Sequence, residues 1–180
     1  HKPWVETQLR ARGVKTLPWT YVPDIEMLDV AQTLQHGPVV LRRSRTTGGV
    51  GFVLVDNLGQ LDDAWFSEDE AYVSVAPFLD GAVALNVGGV VWKVGVTVHP
   101  PSIQLIGLPS CTNRPFGYCG NDFAGVTNIQ DEYIDRIETV TRIVGDWLRG
   151  FGYLGTFGVD FMIHGDELYF TELNPRFQGS

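Results

Sequence analysis

Asp160 and Glu172, with Asn174 and Arg176 close behind, are the side chains in this sequence best suited to do chemistry together. Asp160 lies in the run Gly158-Val159-Asp160-Phe161-Met162-Ile163. A polar turn, His164-Gly165-Asp166-Glu167, follows. The chain then returns through Leu168-Tyr169-Phe170-Thr171-Glu172-Leu173-Asn174-Pro175-Arg176. Two apolar, β-rich runs around a Gly-Asp turn predict a hairpin. Side chains alternate along a strand, so Glu172, Asn174 and Arg176 share one face. Two carboxylates, an amide oxygen and a guanidinium on one small surface suit a divalent cation that carries a polyphosphate. Mg2+ prefers oxygen donors and takes one or two carboxylates together with substrate phosphates. The plainer alternative is an edge hairpin with solvated acids.

Register decides between them. A two-residue Gly165-Asp166 turn sets Asp160 opposite Thr171 and throws Glu172 to the other face. A three-residue Gly165-Asp166-Glu167 loop, or one bulge, sets Asp160 opposite Glu172, and this pairing is the one expected.

A second informative stretch is Pro38-Val39-Val40-Leu41-Arg42-Arg43-Ser44-Arg45-Thr46-Thr47-Gly48-Gly49-Val50-Gly51. Glycines let backbone N–H groups approach an anion closely. No Gly-Lys-Ser/Thr opens a helix here, and a strand follows the glycines, which excludes both a Walker loop and a dinucleotide fingerprint. A strand, a Gly-rich turn and a returning strand make a flap able to close over phosphates. A plain hairpin with solvated arginines is the competing reading.

The elements that must carry these groups can be read from periodicity. Pro3 opens a short helix with Val5 and Leu9 on its apolar side, and Gly13 stops it. Residues 14–19 look extended. Asp24 caps a second helix carrying Ile25, Leu28, Ala31 and Leu34, which Gly37-Pro38 ends. Strands at 39–41 and 52–55 flank the glycine turn, and a helix is expected over about Gly59 to Phe66. Strands dominate from Ala71 to Ile106, broken at Gly88-Gly89 and Pro100-Pro101, and Pro109 to Asn128 reads as a long polar loop. The strongest helix runs from about Asp131 to Arg149 behind a capping box at Thr127 to Gln130, with Ile134, Ile137, Val144, Leu148 and Phe151 on one stripe. Helices and hairpins mix without strict βαβ alternation, so the fold class is α+β with mostly antiparallel sheets.

Composition closes off other classes. The 180 residues carry a net charge of −8, which argues against nucleic-acid binding by charge. Arg42, Arg43 and Arg45 concentrate positive charge locally, which suits a small anion. A hydrophobic fraction of 44% permits a sizeable core, yet no apolar run reaches the roughly 18 residues that span a bilayer. The start, His1-Lys2-Pro3-Trp4, lacks the apolar stretch of a secretion signal. Cys111 and Cys119 are read as free thiols in a reducing compartment, so the expected location is cytoplasmic. His36, His99 and His164 receive no role. Arg114 is left between gripping a substrate carboxylate and lying solvated in its loop.

Taken together, these pieces resemble the ATP-grasp superfamily over nearly the whole chain, with nucleotide-binding lobes most like those of biotin carboxylase and the carboxylate–amine ligases. Lys2, eleven positions before Gly13, matches the first nucleotide lysine, and Arg42 sits where a Pro-Val-Val-x-Lys strand places the second. Gly48, Gly49 and Gly51 match the phosphate flap, with Ser44 beside it. The run Tyr72 to Gly81 looks like the adenine hinge, where the resemblance implies that the Pro77 carbonyl accepts from the exocyclic amine and the Leu79 N–H donates to the ring. Asp160, Glu172 and Asn174 match the magnesium ligands, and Arg176 matches the arginine facing the reacting phosphoryl group. Arg42 replaces a lysine, Ala76 and Val83 replace hinge acids, and Asp80 is the substitute available for the ribose.

The resemblance implies two lobes gripping a nucleotide. The smaller, 1–75, carries the flap; the larger, 76–180, carries the hinge and metal hairpin. The family's N-terminal lobe and C-terminal end are expected to be absent. It further implies ATP with Mg2+ or Mn2+, catalytic Arg176 and Arg42, and ADP-forming ligation of a small carboxylic acid, an amino acid or peptide, to an amine through an acyl phosphate. No nucleic-acid or membrane partner is implied, and a homodimer is compatible. Bicarbonate-dependent carboxylation and a non-catalytic ATP-binding module are the alternatives.

Overall fold

A computed structural model describes residues 2–23, 29–47, 50–60 and 71–177. Contacts divide the chain into two compact units: His1–Leu17, Gly81–Ile106 and Cys119–Ser180 form one, and Pro18–Asp80 with Gly107–Tyr118 form the other.

The second unit holds β1 (Thr20–Val22), α2 (Val30–Leu34), β2 (Val39–Thr47), β3 (Val50–Val55) and β4 (Val73–Pro77). Its sheet runs β1-β4-β2-β3, with every pair antiparallel. Val39, Leu41, Val55 and Val75 make its core. Among the described residues α2 is capped by Asp29, whose carboxylate accepts from the Gln32 N–H at 2.9 Å. The expected cap at Asp24, with Ile25 and Leu28, lies outside the described residues. So does most of the helix expected over 59–66, of which Leu58–Gln60 forms a single 3-10 turn.

The first unit holds α1 (Lys2–Arg10), β5 (Val83–Trp92), β6 (Gly95–Val98), β7 (Ser102–Ile106), β8 (Tyr118–Asp122), α3 (Asp131–Gly150), β9 (Gly155–His164) and β10 (Glu167–Asn174). Strand order is β10-β9-β5-β7-β8, and β6 pairs with the far half of β5. The apolar stripe of α3 covers one face: Ile137, Val144 and Leu148 join Phe157, Val159, Phe161 and Phe170 in a single core. Leu9 of α1 and Val14 belong to that core too. Contacts therefore group residues 1–17 with the larger sheet, where the sequence expectation drew the first lobe as 1–75.

Four expectations are corrected. Gly88-Gly89 does not break a strand; β5 runs through both. A Cβ on Gly89 would come within 2.7 Å of the Phe157 ring on the paired strand, so the glycine makes room for an aromatic neighbour. The polar loop at 109–128 is interrupted by β8, and a 3-10 turn covers Gly125–Asn128. No capping box precedes α3: Gln130 holds the cap position without a side-chain bond, and the Thr127 hydroxyl donates to the Ala124 carbonyl at 2.9 Å instead. Phe151, expected on the α3 stripe, is exposed.

Candidate metal and nucleotide site

Strands β9 and β10 bury Phe157, Val159, Phe161, Leu168 and Phe170 on one face, which sends Asp160 to the other. The hairpin closes with Glu167 opposite His164, so the turn itself has only two residues. Between Phe170 and Glu172 the register shifts at a bulge, and Glu172 pairs with Asp160. The expected facing of the two acids is realised by the bulge and not by the longer loop. Without that extra residue Glu172 would point into the core.

Around Asp160 the side chains are amides. Asn86, directly opposite on β5, donates Nδ2 to Asp160 Oδ1, and Gln104 Nε2 reaches the same oxygen at 3.3 Å. Asn174 Nδ2 donates to Asp160 Oδ2 at 3.2 Å and lies 3.5 Å from Glu172 Oε2. Arg176 Nη2 donates to Asn174 Oδ1 at 3.4 Å. Lys2 on α1 places Nζ 2.8 Å from Glu172 Oε1. Lys2, Asp160, Glu172, Asn174 and Arg176 thus meet in one cluster.

Burial raises the Asp160 carboxyl to about 7, and the Glu172 charge adds to the rise; Asn86, Arg176 and Asn174 pull the other way. The folded protein therefore binds this proton more tightly than the unfolded chain. That stabilisation is full below the unfolded value of 3.8 and is lost as pH climbs through about 7. Metal-free protein is expected to lose on the order of 3 kcal/mol from this group between pH 4 and pH 8. Urea titrations in EDTA check it: Asp160→Ala should flatten the slope relative to the parent. Parallel slopes would remove Asp160 as the cause.

The donor set fits a magnesium ion. Among the described residues no cluster of three or more His, Cys, Asp or Glu is positioned for a metal, so the protein offers two carboxylates and leaves the remaining coordination to other oxygens. A cation between them would offset the part of the Asp160 rise that comes from the Glu172 charge. Asn174 turns its nitrogen toward the acids, so service as an oxygen ligand requires its amide to rotate by half a turn, away from Arg176.

The other predicted residues lie in the second unit. Arg42 is 2% exposed, stacks 4.0 Å over the Trp19 ring and sits 3.4 Å from the Tyr21 hydroxyl. Ser44 Oγ accepts from the Ala71 N–H at 3.3 Å. Gly51 has φ of 86°, a conformation that favours glycine; Gly48 and Gly49 lie outside the described residues. Pro77 ends β4 opposite Val39, and the Phe78 N–H donates to the Pro38 carbonyl at 2.9 Å. Leu79 and exposed Asp80 follow, and the division between the units falls between Asp80 and Gly81. No disulfide joins Cys111 to Cys119. Sequence reasoning does not single out Asn86 and Gln104. The signal for Asn86 is a polar residue inside the apolar run Val83-Ala84-Leu85-Asn86-Val87.

A family model described as an ATP-grasp domain matches residues 21–180. The formate-dependent phosphoribosylglycinamide formyltransferase of Synechococcus sp. (strain CC9311) is 29% identical over 173 residues, covering 91% of this chain and 41% of that protein. The chain thus spans about two fifths of that relative's length. Among solved structures, D-alanyl-alanine synthetase A from Vibrio cholerae superposes with a TM-score of 0.72 at 15% identity, over 95% of this chain and 54% of the other. The biotin carboxylase domain of 2-oxoglutarate carboxylase from Hydrogenobacter thermophilus, solved with magnesium ADP and bicarbonate, gives 0.72 at 17% identity, over 95% and 38%. At such identities the structures speak for the fold. The family match extends through β2, β3, β4 and the paired acids of β9 and β10: the chain belongs to the ATP-grasp domain family.

Proposed function

We propose that this chain is the nucleotide-binding part of an ADP-forming ligase that joins a carboxylic acid to an amine. The observation that carries the reading is the pairing of Asp160 with Glu172 across the β9–β10 bulge in a chain of this family. In this proposal Asp160 and Glu172 hold Mg2+ or Mn2+, with Asn174 as a third oxygen once its amide turns. The metal supplies neutralisation of charge on the transferring phosphoryl group. Lys2, Arg42, Ser44 and the glycines 48, 49 and 51 take the phosphates. The Pro77 carbonyl and the Leu79 N–H read the adenine edge, and Asp80 takes the ribose.

The chemistry follows. A carboxylate oxygen attacks the γ-phosphorus, the bond to the β–γ bridging oxygen breaks, and ADP leaves. An amine nitrogen then attacks the acyl carbon, the phosphate departs with the acyl oxygen, and the surplus amine proton passes to solvent. Arg176 offers fixed positive charge to the reacting phosphoryl group, and the residues' main task is to hold reactants in line and keep water out. The acid is proposed to be an amino acid or peptide, in line with the alanine-joining name of the Vibrio cholerae structure. A cytoplasmic location is proposed because Cys111 and Cys119 are not joined in a disulfide. No described helix is long and apolar enough to cross a membrane.

Bicarbonate is the alternative acid, favoured by the ligands of the biotin carboxylase domain structure. The test is ADP release with MgATP across a panel of acids, each with and without amines, alongside calorimetry of MgATP binding. ADP appearing only when acid and amine are both present supports the ligase. ADP release with bicarbonate and no amine supports carboxylation. Failure to bind MgATP would sink both.

A further inference from the structure

A polar lane crosses the larger sheet on the face opposite Phe157, Val159 and Phe161. Glu172 stands opposite Asp160, Asp160 opposite Asn86, and Asn86 opposite Ser102. Asn121 on β8 extends it by donating Nδ2 to Ser102 Oγ at 2.5 Å. Asn86 is 3% exposed and Ser102 1%, and side chains of these types are seldom so deeply buried.

The two oxygens of Asp160 are treated unequally. Oδ1 accepts from Asn86 and from Gln104, on the β5–β7 side. Among the described residues Oδ2 accepts from Asn174 alone, on the side of Glu172. Both partners of Oδ1 are neutral. A lysine or arginine in either place would hold the carboxylate equally well but would cancel the charge that attracts a cation. An amide satisfies the lone pairs and leaves that charge intact. Its hydrogen bonds also fix the rotation of the carboxylate plane, as partners of metal ligands commonly do.

We propose that Asn86 and Gln104 are positioning residues: they anchor Oδ1 of Asp160 so that Oδ2 alone is presented to a divalent cation shared with Glu172. This rests on the metal reading above, and the experiment separates the two. Mn2+ is titrated into the full chain in the presence of ATP and followed by electron paramagnetic resonance; binding of ATP without metal is measured in parallel.

Asn86→Leu, which keeps the side-chain size and removes the donor, should weaken Mn2+ binding by about 10- to 100-fold with metal-free ATP binding unchanged. Gln104→Leu should weaken it less, because its bond is the longer one. If both variants bind Mn2+ like the parent while Asp160→Ala does not, the positioning inference falls and the metal site stands. If Asp160→Ala also binds Mn2+ like the parent, the metal reading itself is wrong. Should Asn86→Leu fail to unfold cooperatively, Gln104→Leu decides, since its parent side chain is only partly buried: weakened Mn2+ supports the inference and parental affinity overturns it.

Discussion

Glu172→Gln is expected to cut Mg2+-dependent ADP formation by about 1,000-fold or more, the scale seen when a charge-stabilising group is removed from a reacting centre. The substitution keeps the shape and one oxygen but removes the charge that a cation needs beside Asp160. Stability should barely move. Glu172 is one-third exposed, its partner Lys2 is one-quarter exposed, and pairs of this kind contribute at most about 1 kcal/mol. A second signature distinguishes the metal role from simple damage. The Glu172 charge helps raise the Asp160 carboxyl, so in the variant that carboxyl should titrate at lower pH. Activity at the parental level would refute the metal assignment.

Gly145→Leu should destabilise the protein by about 3 kcal/mol or more, read from urea midpoints. Gly145 lies in α3, where a Cβ would come within 2.6 Å of Val96 Cγ1 and 3.0 Å of Phe157 Cζ. Gly89 crowds the same ring from the neighbouring strand. Phe157 is therefore wedged between two glycines, and neither the helix nor the strand can retreat without opening the core. Gly150 is the control. It ends the same helix with nothing within 4 Å of its Cβ position, so Gly150→Ala should be neutral or stabilise by up to about 1 kcal/mol. Equal midpoints for Gly145→Leu and the parent would mean that α3 does not approach β6 and β9 this closely.

What the sequence made legible follows from how local each signal is. Asp160, Glu172, Asn174 and Arg176 lie within seventeen positions on one hairpin, so period-two reasoning reaches them. Even there the bulge is only one of two routes to the pairing that the sequence allows, since nothing in Phe170-Thr171-Glu172 favours a bulge by composition. Gly88-Gly89 reads as a break because glycine weakens a strand in isolation; the reason for Gly89 sits on β9, nearly seventy residues later. Strand β8 escaped because Gly120, Asn121 and Asp122 are poor strand formers, held extended by the sheet they join. The capping box failed because the Thr127 hydroxyl bonds within its own 3-10 turn. Asn86 and Gln104 were invisible for the most physical reason: their bonds to Asp160 span 74 and 56 positions, and only strand order brings them together.

The bulge beside Thr171 has a consequence for how this hairpin can be altered. The offset between the two arms is absorbed next to the acids and not at the Gly165-Asp166 tip. Extra residues added at the tip would lengthen an external connection without changing which side of the sheet Glu172 addresses. The tip is accordingly the place to insert a fluorophore-bearing loop or a purification epitope, and drift in its length among related chains would be silent for the acid pair.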